Sequence, residues 1–222
     1  MKVLEPSFEI VYAPPYEVVL KVLEHEARKA YKSEDKIGPG TAEKLLRDLL
    51  GRKPTPHESV IEHMGFTVDF VYDRGLSHEK VRQRLCSFTQ ESTRFCNYSK
   101  GKFGSEIAVV PMIDGLSDEQ LNRRWELYEH IERVYLAEID EGVPPQQARD
   151  NLPTCLKTEI GVTANMRQWR HIMRTRTHKT AHPQMRKVMR QLLIWCRETY
   201  PVLFEGVGFL TDEECVIPVF PK

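Results

Sequence analysis

Between residues 64 and 72 the chain alternates strictly, with Phe66, Val68, Phe70 and Tyr72 on one parity, and this predicts a half-buried strand. Helical spacing governs most of the remainder. After Pro14-Pro15, Val18, Val19, Val22, Leu23 and Ala30 recur along one helical face, predicting a helix over residues 16–31. Gly38-Pro39-Gly40 interrupts the pattern, and Thr41 is placed to cap a second helix through residue 50. Lys53-Pro54-Thr55-Pro56 reads as a loop leading into the strand, and Asp73-Arg74-Gly75 as the turn after it.

Ser77 is the expected start of a helix containing Glu79, Val81, Arg82 and Leu85. Residues 87–104 are polar, aromatic and aperiodic, predicting a loop with short extended pieces, and residues 107–112 a second strand. Ser117 is a cap for a long helix to about residue 142, with Leu121, Trp125, Tyr128, Ile131, Tyr135 and Leu136 along one face. Pro144-Pro145 opens a shorter helix ending near residue 152. Two more follow, over about residues 167–176 and 182–200, and the tail from Pro201 is loop-rich. Helices, strand, helix, strand and again helices make an α+β chain rather than a doubly wound one.

At 222 residues, 41% hydrophobic and 29% charged, the chain has the length and composition of a soluble protein with one sizeable domain, taken as residues 1–222. No run of eighteen apolar residues suggests a membrane span, and the first residues lack the basic-then-apolar layout of a signal peptide. A cytoplasmic location is therefore expected. Cys86, Cys96, Cys155, Cys196 and Cys215 are odd in number and widely spaced, without a Cys-x-x-Cys pair, so neither a disulfide framework nor a zinc site is indicated. No Gly-x-Gly-x-x-Gly or Walker loop occurs, which disfavours ordinary Rossmann and P-loop sites. Net charge is zero, which argues against a polynucleotide-coating protein. The charge is unevenly placed, with acidic residues gathered in 118–141 and basic ones in 167–197, and a local anionic ligand is implied.

Three segments carry candidate chemistry. In Arg82-Gln83-Arg84-Leu85-Cys86-Ser87-Phe88-Thr89-Gln90-Glu91-Ser92-Thr93-Arg94, guanidinium forks stand beside hydroxyls and amides, a combination that binds phosphate. A solvated basic helix end followed by a polar loop would look the same. In the helix after Asn165, Arg167, His171 and Arg174 share a face with Arg170 beside them. So many arginines within three turns repel one another unless an anion or carboxylates lie between them. The third segment, His57-Glu58-Ser59-Val60-Ile61-Glu62-His63, lacks the His-Glu-x-x-His spacing and a third ligand, so a hydrogen-bonding turn is expected there and no metal.

Arg82-Gln83-Arg84, seven residues and Ser92 resemble the Arg-x-Arg-x7-Ser signature of flavin-dependent thymidylate synthases, whose middle residue is usually His. Ser77-His78-Glu79, Ser92-Thr93-Arg94-Phe95, the His57–His63 segment, Arg149-x-x-Leu152-Pro153 and Asn165-x-Arg167 with His171 and Arg176 also look like that family. These blocks stand in family order over about residues 26–186.

The resemblance implies a small, mostly antiparallel sheet flanked by long helices, and a homotetramer whose sites are shared between subunits. It implies conversion of dUMP to dTMP, with methylenetetrahydrofolate as carbon donor and NADPH-reduced FAD as hydride source. Carried over by position, Ser59, Arg82, Gln83, Arg84, Gln90, Asn165, Arg167 and His171 would contact FAD, and His57 and Glu62 would shape the flavin end. Glu79, Arg82, Gln90, Glu91, Ser92, Arg94, Arg149 and Arg176 would contact dUMP, with Arg176 polarising the uracil ring. None of the cysteines has an obvious activating base, and the family's chemistry needs no thiol nucleophile. Gln83 departs from the signature: it keeps a donor and an acceptor but loses a possible charge, so FAD binding with reduced turnover is expected, and a gain from histidine there. The alternatives are a family member that binds flavin and dUMP without turning over, and a nucleic-acid-binding protein.

Overall fold

A computed structural model describes residues 1–215; the end of the expected loop-rich tail, residues 216–222, lies outside the described residues. In chain order the first elements are β1 (Lys2–Val3), β2 (Ser7–Tyr12), α1 (Tyr16–Lys29), α2 (Thr41–Gly51), β3 (Gly65–Asp73), α3 (Arg74–Lys80) and β4 (Cys86–Gln90). Then come β5 (Ala108–Val109), α4 (Asp118–Asp140), α5 (Pro145–Ala148), β6 (Lys157–Asn165), α6 (Met166–Arg176), α7 (Pro183–Thr199) and α8 (Pro201–Phe204). The fold is α+β, with a small four-stranded sheet in the order β2-β3-β6-β4. Among the described residues, no helix is long and apolar enough to cross a membrane.

The chain divides into two compact units. One comprises Met1–Ser7, Asp69–Arg82 and Phe88–Gly161. The other comprises Phe8–Val68, Gln83–Ser87 and the described residues from Val162 onward.

In the first unit, Tyr98, Ile107, Val109, Tyr135, Ala148 and Leu156 form the core. β1 pairs in parallel with β5, Lys2 opposite Ala108 and Val3 opposite Val109. α4 begins as its sequence predicts: Ser117 Oγ accepts from the Gln120 backbone N–H (3.3 Å), and Gln120 Oε1 accepts from that of Ser117 (2.9 Å). This reciprocal cap satisfies two of the donors a helix start leaves unpaired. Of the apolar stripe on α4, Tyr135 is fully buried and the other five positions are half-buried. α3 begins three residues earlier than predicted, because Asp73 caps it by accepting from the Leu76 N–H at 2.7 Å. It also stops at Lys80 instead of continuing through Leu85, which stands in the left-handed region at φ 62°. A branched side chain there is incompatible with a continuing right-handed helix. The strand predicted at 107–112 is only Ala108–Val109: the Ile107 N–H donates to Glu132 Oε1, and Pro111 has no N–H to offer a ladder.

In the second unit, Phe66 of β3 stacks on Trp169 of α6 (ring centroids 4.6 Å) and meets the edge of Trp195 of α7 (5.4 Å). Trp169 is fully buried, and its indole N–H donates to the Phe66 carbonyl at 3.0 Å. Val19 and Leu23 of α1, Leu46 of α2, Ile172 of α6 and Leu192 of α7 are fully buried in the same unit. Thr41 is the first residue of α2, with Gly40 the cap at φ 73°; the Thr41 hydroxyl instead closes the preceding turn, accepting from Gly38 N and donating to Gly38 O. Gly65 is required by close approach: a Cβ there would stand 2.3 Å from the Ala164 carbonyl oxygen.

β1, β2 and β6 were not anticipated, nor was α8, which opens the tail expected to be loop-rich: Pro201 stands at its first position, where a missing N–H costs nothing. β6 alternates cleanly, with Thr158, Ile160, Val162 and Ala164 inward, but two of those four are Thr and Ala, so its hydrophobic contrast is weak.

Candidate active site

Asn165 ends β6 and caps α6, its side-chain oxygen accepting from the Gln168 N–H at 2.9 Å. That cap fixes the direction in which α6 projects its cations. The 3-10 turn Glu58–His63 lies in the same unit, and it is the hydrogen-bonding turn that the sequence predicts before β3. Glu58 accepts from Arg170 Nε (3.0 Å) and Arg174 Nη2 (2.8 Å), with Arg167 Nε at 3.9 Å, while Arg167 also pairs with Glu62. Carboxylates therefore lie among the crowded arginines. Burial opposes the Glu58 charge, but Arg174 and then Arg170 outweigh it and hold the carboxyl below its usual range. Arg170 is itself buried, which lowers its own pKa against the pull of Glu58, and it also donates to the Leu203 carbonyl.

A cleft of about 400 Å³ in the second unit is lined by Glu58, Glu62, Asn165, Arg167, His171 and Arg174 with Leu85 and Gln168. Four expected cofactor residues, Glu62, Asn165, Arg167 and His171, are thus brought together. His57 and Ser59 are exposed in the adjoining turn, with His57 Nδ1 at 3.5 Å from Arg52 Nη1, and neither lines the cleft. Arg84 is exposed. Gln83 is buried, and its carbonyl oxygen accepts from Arg176 Nε (3.1 Å) and Nη2 (3.2 Å). The opposite amide orientation would set donors against donors.

The expected substrate residues other than Arg176 lie in the first unit. Gln90 Nε2 donates to Ser77 Oγ (2.8 Å) and Thr158 Oγ1 (3.1 Å), which fixes its carbonyl direction. Glu91 accepts from Tyr98 OH (3.1 Å) and Lys157 Nζ (3.0 Å), and Lys157 pairs also with Glu159. Burial, with the Glu91 charge and hydrogen bond behind it, pushes the Tyr98 hydroxyl far above its ordinary pKa. Burial disfavours the Lys157 charge, but its bonds to Glu159 and Glu91 prevail and raise its pKa. Gln90, Glu91 and Lys157 line a cleft of about 520 Å³ with Asp69, Thr89 and Glu159. Glu79, Arg82, Ser92, Arg94 and Arg149 are not among its lining residues. Ser92 Oγ accepts from the Arg94 N–H, Arg94 Nε donates to Gln146 Oε1 at 3.2 Å, and Arg82 and Arg149 are exposed. Among the described residues, no three His, Cys, Asp or Glu side chains converge as a metal site.

Sequence reasoning did not assign Glu58, Arg170, Arg174 or Lys157. The first three stood inside segments singled out for their charge; Lys157 has a local partner in Glu159, but the contact that ties it to the expected substrate residue Glu91 spans 66 residues.

The family model described as thymidylate synthase complementing protein matches residues 16–202. The chain belongs to this family. Among relatives in the family, a flavin-dependent thymidylate synthase of Pyrococcus furiosus is 32% identical over 170 residues, covering 73% of this chain and 65% of that protein. One of Corynebacterium aurimucosum is 32% identical over 212 residues, covering 86% of this chain and 80% of that protein. This chain therefore spans just under two thirds of the first relative and more of the second. A solved structure of a UMP/dUMP methylase from Streptomyces cacaoi, bound with 5-Br dUMP, superposes with a TM-score of 0.75 at 22% identity, covering 93% of this chain and 96% of that one. The α+β fold is thus the fold of that structure.

Proposed function

We propose that this chain is a flavin-dependent thymidylate synthase, converting dUMP to dTMP with methylenetetrahydrofolate as carbon donor and NADPH as reductant of its FAD. The observation that carries this reading beyond family membership is the charge on α6. Its four arginines, Arg167, Arg170, Arg174 and Arg176, stand in one unit with the carboxylates Glu58 and Glu62. Of these, Arg167, Arg170 and Arg174 pair with the two carboxylates, three guanidiniums against two, which leaves surplus positive charge at a cleft whose lining residues Asn165 and His171 can also hydrogen-bond. That donor set fits the diphosphate of a dinucleotide.

Within this reading Asn165, Arg167 and His171 hold the cofactor, Glu62 steadies Arg167, and Ser59, His57, Arg82, Gln83, Arg84 and Gln90 complete its contacts. FAD, when bound, supplies the hydride and relays the one-carbon unit. Glu79, Gln90, Glu91, Ser92, Arg82, Arg94 and Arg149 bind and orient dUMP. Arg176 is the catalytic residue, placing a permanent cation at the pyrimidine edge where negative charge develops as C5 becomes nucleophilic. Sites shared between subunits of a homotetramer, a single functional domain and a cytoplasmic location complete the proposal.

The test is direct. Purified protein is inspected for flavin absorbance and assayed for dTMP formation from dUMP, methylenetetrahydrofolate and NADPH. Flavin without any dTMP, in the presence of all three, would reject the catalytic reading and leave a flavin-binding family member.

A further inference from the structure

The middle residue of the signature tripeptide touches the residue assigned to polarise the pyrimidine. Gln83 is 8% exposed, and its Oε1 accepts from both Nε and Nη2 of Arg176. Arg176 is the last residue of α6, where the helix no longer restrains a long side chain. Two bonds from adjacent nitrogens to one oxygen hold the guanidinium plane at one edge of its fork.

We propose that Gln83 is a positioning residue for Arg176: a neutral acceptor that aims the guanidinium without adding charge of its own. The proposal rests on Arg176 acting at the pyrimidine. It makes position 83 a determinant of turnover through an arginine 93 residues away, separate from any contact with the cofactor. Whatever else the guanidinium meets, an amide carbonyl adds direction and leaves the cation's strength intact. Glutamate would give the same reach but would offset the charge at 3 Å. A neutral imidazole could accept one bond; a protonated one would face a permanent cation. The expected gain from histidine is therefore revised to a pH-dependent loss.

Four forms are compared: parent, Gln83→Leu, Gln83→Glu and Gln83→His. Each is assayed for dTMP formation at saturating FAD and dUMP, with thermal midpoint and flavin absorbance confirming that it is folded. Removing both acceptor bonds should lower kcat about tenfold in Gln83→Leu. Gln83→Glu should fall by a similar factor, because it keeps the geometry and loses field. Gln83→His should approach the parent at high pH. It should fall away as pH drops through the imidazole pKa, which the neighbouring cation holds below its ordinary value of about 6.5. The parent, with no titrating group at this position, should lack that limb.

If saturating FAD restores the variants to parent turnover, Gln83 acts through the cofactor and the proposal is wrong. It is equally wrong if Leu and Glu variants stay within twofold of the parent. A parent that forms no dTMP would fail the functional reading; the contact is then tested by the Arg176 Nε–H proton resonance, identified by its loss in Arg176→Lys. Protection in the parent that collapses in Gln83→Leu supports the contact, and an unchanged signal overturns it.

Discussion

Replacing Glu58 by Gln removes one negative charge from beneath the arginines of α6 while keeping the shape of the side chain. Glu58 is mostly covered, with 14% of its side chain exposed, and Arg170 is more so at 6%. The variant leaves Arg170 buried beside Arg174 with a single amide oxygen between them. Deleting one partner of a buried pair costs about 3–5 kcal/mol. The lower end applies here, because the amide still accepts one bond and Arg170 keeps its bond to the Leu203 carbonyl. The exposed pair of Arg167, half of whose side chain is in solvent, adds little. A loss of about 3 kcal/mol in a chain of this size lowers the thermal midpoint by about 6–12 °C. The pH dependence supplies a second signature. The Glu58 carboxyl is held below its ordinary 4.5 when folded, so its contribution is complete above that value and disappears as pH falls through the lowered one. Parent and variant should therefore differ most near neutrality and converge as pH falls through the lowered value. Thermal melts of both forms from pH 3 to 8 measure this, with the exposed Glu62→Gln as comparison at about 0–1 kcal/mol. A midpoint within 2 °C of the parent at pH 7, or a gap that widens in acid, would refute the reasoning.

Arg176→Ala should lower dTMP formation by about 10²-fold or more while the protein retains its flavin; turnover within a factor of two of the parent would reject the assignment. Gly65→Ala drives a methyl against the Ala164 carbonyl oxygen and the Asn165 Cα, so calorimetry should show a loss of about 1–3 kcal/mol, and an unchanged melt would mean the strands separate easily there. Single Cys→Ser or Cys→Ala changes at the five cysteines should leave activity within about tenfold, apart from packing losses of about 1–3 kcal/mol at the buried Cys196 and Cys215. A stable cysteine variant with no turnover would bring in a thiol nucleophile. Light scattering should report a symmetric oligomer, and an active monomer would contradict the shared site.

Elements with a strong local signal were legible in the sequence. The alternating Phe66, Val68, Phe70 and Tyr72 are all fully buried in β3, and Ser117 and Gln120 form the cap their spacing announces. Elements decided by tertiary pairing were not. The inward face of β6 mixes Thr and Ala with Ile and Val, and the helix expected through Leu85 yields to a left-handed residue that no periodicity reveals. The site divides in the same way. Charge crowding on α6 was visible, and so was the need for carboxylates among its arginines. That Glu58 supplies one, more than 100 residues away, is a fact of folding. So is the Gln83–Arg176 contact, which turns an apparent loss of charge within the signature into a question of aim.

Asn165 both caps α6 and lines the cleft, and under the proposed function this restricts how the position can drift. Its oxygen starts α6, while its Nδ2 is a donor at the edge of a cleft. Aspartate or serine would keep the helix start and lose the amide donor. Glutamine would keep the donor and fit the cap poorly. Asp73 starts α3 by the same device and is not among the residues lining that cleft. In a collection of related chains, 165 should therefore hold to asparagine wherever the proposed cofactor is still bound. A lineage that abandoned the ligand while keeping the fold should reveal itself first by aspartate or serine at 165.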